Sequence, residues 1–62
     1  METIYKSKDN KFYTFKNGLY YLLDVMIKSN TIVCPENGKT VNSIEIEKTY
    51  TFMELKKELL SK

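Results

Sequence analysis

Residues 11–27 read KFYTFKNGLYYLLDVMI, two apolar runs on either side of Asn17-Gly18, and the reading of that dipeptide decides the fold. Asparagine followed by glycine suits the two central positions of a type I′ turn, where both residues take positive φ and the twist of the turn matches that of paired strands. With a two-residue loop, Lys16 pairs with Leu19, Phe15 with Tyr20, Thr14 with Tyr21, Tyr13 with Leu22, Phe12 with Leu23 and Lys11 with Asp24. That register sets two aromatic rings side by side and a cation opposite an anion, pairs that contribute about 0.2 to 1 kcal/mol each over alanine. A three-residue loop with a bulge would place Lys11 opposite Leu23 and exchange the faces throughout, so the two-residue loop is expected.

A helix over residues 19–28 is the competing reading. Leu19, Leu22, Leu23, Met26 and Ile27 share one helical face, with Asp24 and Lys28 opposite. Tyr20, Tyr21, Val25 and Ile27 are aromatic or β-branched, however, and Asn-Gly before the run signals a hairpin rather than a helix cap. A strand is preferred.

Outward from the hairpin, Met1 to Lys6 alternates as a short strand and Ser7 to Asn10 is a polar turn, giving a first hairpin whose tip carries Lys6, Lys8, Asp9 and Lys11. Beyond Ile27, Ser29-Asn30 turns the chain so that Ile27 meets Ile32 and Val25 meets Cys34. The expected core face then gathers Leu19, Tyr21, Leu23, Val25 and Ile27 with Phe12, Ile32 and Cys34. Pro35 interrupts the donor row, as at a sheet edge, and Asn37-Gly38 is read as a second hairpin turn. Ser43 to Tyr50 alternates as a half-buried strand, with Ile44, Ile46 and Tyr50 on one side and Glu45, Glu47 and Thr49 on the other. Thr51-Phe52-Met53-Glu54 is a capping box, with Tyr50 and Leu55 placed for a hydrophobic staple. The helix that follows shows an apolar stripe of Phe52, Leu55 and Leu59, with Lys56, Lys57 and Lys62 toward its negative end. It is too short to be stable alone and must dock on the sheet.

The expected fold is therefore α+β and mainly β: a small antiparallel meander, or an SH3-like partly open barrel in layout, of four to five short strands with one C-terminal helix. The alternative is the helix at 19–28 packed on a small sheet. All 62 residues form one domain. One cysteine permits no internal disulfide and the lack of histidine leaves no zinc cluster, so a core that supplies only about 3 to 5 kcal/mol has no covalent or metal support. The longest apolar run is Leu19 to Leu23, so neither a signal peptide nor a membrane span is read, and with a single thiol the expectation is a cytoplasmic protein without membrane partners. Ala, Arg, His, Gln and Trp are absent while Lys, Asn, Ile and Tyr abound, which matches the codon usage of an AT-rich genome.

Catalytic chemistry finds little here. Cys34 has no histidine to activate it and, with Ile32 and Val33 as its strand neighbours, reads as a small buried apolar residue. Glu45 with Glu47, and Glu54 with Glu58, sit on solvated faces that would not drive their pKa values apart. Neither glycine belongs to a phosphate-binding loop. The chain is expected to be no enzyme and to need no cofactor or metal.

Two binding readings remain. Lysines and aromatics interleave in KSKDNKFYTFK, which suits non-specific single-stranded nucleic acid held through Lys6, Lys8, Lys11 and Lys16; the lack of arginine removes the commonest bidentate base contact. The stronger reading is a protein-binding or regulatory module. The strand from Leu19 to Ile27 is apolar on both faces, and one short helix can cover only one, which leaves Tyr13, Phe15, Tyr20, Leu22 and Met26 as a homodimer or host-protein interface. If the helix lay on that face instead, those residues would be ordinary core. A protein this small from an AT-rich source fits a phage or mobile-element factor that inhibits a host protein, such as a defence enzyme, by direct contact.

Overall fold

The computed structural model describes residues 3–61. In chain order these form β1 (Ile4–Ser7), β2 (Phe12–Lys16), β3 (Leu19–Leu23), β4 (Met26–Lys28), β5 (Thr31–Val33), β6 (Glu36–Val41), β7 (Ile46–Tyr50) and α1 (Phe52–Leu60). Five strands make one antiparallel sheet in the order β6-β3-β2-β1-β7, and β4 pairs with β5 in a separate ribbon. The fold is thus mainly β with one C-terminal helix, and residues 19–28 are strand rather than helix. There are more strands than the four or five expected, because the apolar run at 19–27 is divided into β3 and β4 and residues 36–41, read as a turn, form β6. Met1, Glu2 and Lys62, which entered the sequence reading at the first strand and the helix end, lie outside the described residues.

The central hairpin forms in the expected register. Five pairs, from Lys16 with Leu19 to Phe12 with Leu23, are in place, and Asn17 and Gly18 take φ of 53° and 77°. The sixth, Lys11 with Asp24, does not form. The Asp24 amide donates to the Pro35 carbonyl at 2.8 Å, which ends β3 at Leu23 and turns the chain away from β2. The Asp24 carboxylate accepts both bonds offered by the Asn37 amide, at 3.0 and 2.9 Å, and Lys11 lies 4.0 Å from Asp9 instead. That same break divides the apolar run, so Met26 and Ile27 leave the main sheet in β4. Val25 and Cys34 consequently flank the ribbon without being paired in it, while Ser29-Asn30 turns as read and sets Ile27 opposite Ile32.

Asn37-Gly38 does not reverse the chain. Both residues lie within β6, where Tyr21 pairs with Thr40 and Leu23 with Glu36, so that Leu22 alone faces Asn37, Gly38 and Lys39. This is a bulge, and it uses the φ of +95° that only glycine takes at low cost.

One sheet face carries the core. Ile4, Leu23, Ile32, Tyr50 and Leu55 are buried together, with Phe12, Val25, Cys34, Phe52 and Leu59 packed around them. The helix starts as the capping box dictates: the Thr51 hydroxyl accepts the Glu54 amide at 3.1 Å, and the Glu54 carboxylate accepts the Thr51 amide at 2.8 Å. It drops Leu55, fully buried, onto the Ile4 side of the sheet beside β5 and β7. The opposite face, with Tyr5, Tyr13, Phe15, Tyr20, Leu22 and Val41 in register, is therefore not the helix's docking site. Because β6 and β7 lie at opposite edges, residues 42–45 must cross the sheet between them. They do so over this second face, where the Lys8 amide donates to the Glu45 carbonyl at 3.0 Å and Ile44 shares a pocket with Tyr13 and Val41.

Two expectations about burial fail. Ile27 points away from the core and is 60 % exposed, although Ile32 across the ribbon is buried. A two-stranded ribbon standing off the sheet is covered on one strand only. Ile46 is also exposed, because β7 begins there and the pairing with β1 shifts between Lys6 and Ser7, rotating its side chain out of line with Tyr50.

Candidate protein-binding surface

Alternation along β2 and β3 brings four of the five expected interface residues onto one face. Phe15 lies against Tyr20 with ring centroids 4.7 Å apart, and Tyr5 and Tyr13 meet Tyr20 edge-on at 5.7 and 6.5 Å. Offset and edge-to-face pairs of this kind contribute about 0.5 to 1.5 kcal/mol beyond their buried area. The cluster is mostly self-satisfied. Tyr13 is 7 % exposed beneath the crossing segment, Tyr20 and Leu22 are half-buried, and Phe15 alone of the four stands open at 47 %. Tyr13 is thus removed from the expected interface.

Met26 is removed from that face altogether. The break at Asp24 carries it to β4, where it is 49 % exposed beside Ile27. Both line a groove of about 840 Å³ together with Phe12, Leu23, Val25 and Leu59, with Asn10, Lys11 and Asp24 at its margin. The groove runs between the start of β2, the ribbon and the end of α1, three segments that meet only in the folded chain. Sequence reasoning found Met26 but assigned Ile27 to the core, and period-2 alternation carries no signal that would separate the covered strand of a ribbon from the bare one.

The lysines singled out for nucleic acid do not form one stripe. Lys6 pairs with Glu47 at 3.4 Å, Lys11 with Asp9 at 4.0 Å, and Lys16 with Glu36 while also lying 4.9 Å above the Tyr21 ring. Lys8 is exposed at the 7–10 turn, near Glu45. Neighbouring carboxylates would compete with phosphate for each of the first three.

Titratable groups are engaged in structure. The Tyr50 hydroxyl donates to Glu58 at 2.7 Å, and that bond, with burial and the nearby negative charge, pushes its pKa up to about 12. Lys48 completes the group at 3.6 Å from Glu58 and 5.0 Å from the Tyr50 ring, tying α1 to β7. The Ser7 hydroxyl donates to Asp9 and, with Lys11, holds that carboxyl below its usual range. Burial pushes the Cys34 thiol up, away from the thiolate that a nucleophile requires. Among the described residues no group of three or more His, Cys, Asp or Glu side chains is placed to hold a metal ion, and no helix is long and apolar enough to cross a membrane. Comparison of the chain with protein-family models, curated protein sequences and solved structures finds no match.

Proposed function

We propose that this protein is a small non-catalytic binding module that acts by direct contact with a host or cellular protein, through the groove beside β4. The observation that carries the reading is the exposure of Met26 and Ile27, at 49 % and 60 %, over a groove floored by Phe12, Val25 and Leu59. Apolar area left in water forgoes about 25 cal/mol per Å², and methionine is among the residues enriched where proteins meet. Size and AT-rich composition extend the proposal to a phage or mobile-element factor that restrains a host enzyme. A cytoplasmic location follows the same line of reasoning.

The test is capture of partners from source-cell extract by the parent protein, by a Met26→Lys, Ile27→Lys double variant and by Phe15→Lys, each checked by circular dichroism. These side chains are exposed, so all three proteins should keep the parent spectrum. The double variant should lose its partner and Phe15→Lys retain it. The opposite pattern would move the contact to the aromatic face, and a partner held equally by all three would refute a binding role for the groove.

A further inference from the structure

Of the five asparagines in the chain, Asn17 and Asn37 precede glycine. We infer that Asn17 is a site of spontaneous covalent modification, succinimide formation followed by hydrolysis, and that Asp24 shields Asn37 from the same reaction. In that reaction the backbone nitrogen of the following residue gives up its proton to a solvent base and attacks the asparagine Cγ. A nitrogen–carbon bond forms, the bond from Cγ to Nδ2 breaks and ammonia leaves. Water then opens the cyclic imide at either carbonyl, leaving aspartate or isoaspartate, and is the only co-reactant. Glycine favours the attack because it brings no Cβ into the path of the approaching amide.

Steric access does not separate the two sites. A Cβ at Gly18 or at Gly38 would meet nothing within 4 Å, so neither glycine is hemmed in. The asparagine side chains do separate them. Asn17 is exposed at the hairpin tip, beyond the Lys16–Leu19 pair that closes the ladder, and its side-chain amide has no hydrogen-bond partner among the described residues. The Asn37 amide nitrogen, the leaving group, donates to both oxygens of Asp24, at 3.0 and 2.9 Å. Those bonds must break before Cγ can swing toward the Gly38 nitrogen. Donation to a carboxylate also leaves the amide carbon richer in electrons, and the Asp24 charge opposes the anion that a deprotonated Gly38 nitrogen becomes. The shielding bears on the groove, because conversion at Asn37 would set a second carboxylate against Asp24 at the bend that sends β4 out of the sheet.

Ageing of the intact protein in mildly alkaline buffer, followed by peptide mapping with mass spectrometry, tests this. Residue 17 should appear as aspartate and isoaspartate, each with oxygen in place of NH, while residue 37 stays amide. The converted protein has a net charge one unit below +2 and separates by ion exchange. Because a hydrogen bond to a charged group must be broken first, Asn37 should react at least about tenfold more slowly than Asn17. In concentrated urea, where both pairs are unfolded, the two rates should converge. Asp24→Ala, checked by circular dichroism, should speed conversion at 37 and leave 17 unchanged; if that variant does not fold, the parent's rates in buffer and in urea decide the matter. Equal rates in the folded parent, a gap that persists in urea, or a folded Asp24→Ala protein no faster at 37 would overturn the shielding. A residue 17 that stays amide in buffer while converting in urea would overturn its assignment as the site.

Discussion

Replacing Leu55 by alanine should come close to unfolding the protein. Leu55 is fully buried and is the one α1 residue in the innermost cluster, where it meets Ile4, Leu23, Ile32 and Tyr50. The helix has nine residues, too few to persist without docking, so this side chain largely decides whether the helix forms at all. Large-to-small changes at such sites cost about 2.7 to 5 kcal/mol. Set against a net stability of about 3 to 5 kcal/mol for a chain this short, the loss leaves a folded fraction that is small or marginal at room temperature. Because 1 kcal/mol corresponds to about 4 to 8 °C in a domain of this size, Tm should fall by at least about 10 °C. Thermal and urea unfolding followed by far-ultraviolet dichroism measures this, with Met53→Ala, exposed on the same helix, as the control that should change Tm by no more than about 3 °C. If Leu55→Ala melts within 3 °C of the parent, the helix does not clamp the sheet and the core described above is wrong.

The Tyr50–Glu58 bond makes a prediction in alkali. A tyrosine whose folded pKa is raised to about 12, above the ordinary 10, holds its proton more tightly when folded; its contribution is complete below pH 10 and lost between pH 10 and 12. Absorbance titration should show a tyrosine ionising near 12 and Glu58→Gln bringing it down; a Tyr50 that ionises near the ordinary 10 would count against the bond. At the turn between β4 and β5, Ser29 holds φ of 52°, a conformation that asparagine adopts more readily than serine. Ser29→Asn should therefore raise stability by about 0.5 to 1 kcal/mol in urea unfolding, and a loss would show that the serine makes a contact of its own.

Some of this architecture is written locally. Asn17-Gly18 fixed its turn and five cross-strand pairs, because two adjacent positive-φ positions admit few backbones and a two-residue loop admits one register. Thr51 and Glu54 fixed the helix start by satisfying each other's amides within four residues. The strand at 19–23, the Ser29-Asn30 turn and the pairing of Ile27 with Ile32 belong to the same class. Each depends on groups a few residues apart.

The rest was settled by groups far apart in sequence. Asn37-Gly38 has the same dipeptide as the central turn, yet becomes a bulge, because glycine's positive φ serves either geometry and pairing of Glu36 and Thr40 with β3 selects one. Asp24 was free to face Lys11 until its amide met Pro35 and its carboxylate met Asn37, and that single diversion sent Met26 and Ile27 out of the sheet and opened the groove. Which face the helix would cover could not be read from its own stripe, since both sheet faces offered apolar residues; Leu55 chose the side of Ile4 and Leu23, and the crossing at 42–45 closed over Tyr13 on the other. Periodicity tells which side chains share a face. Only the packing of distant segments tells which of those faces is left for something else to touch.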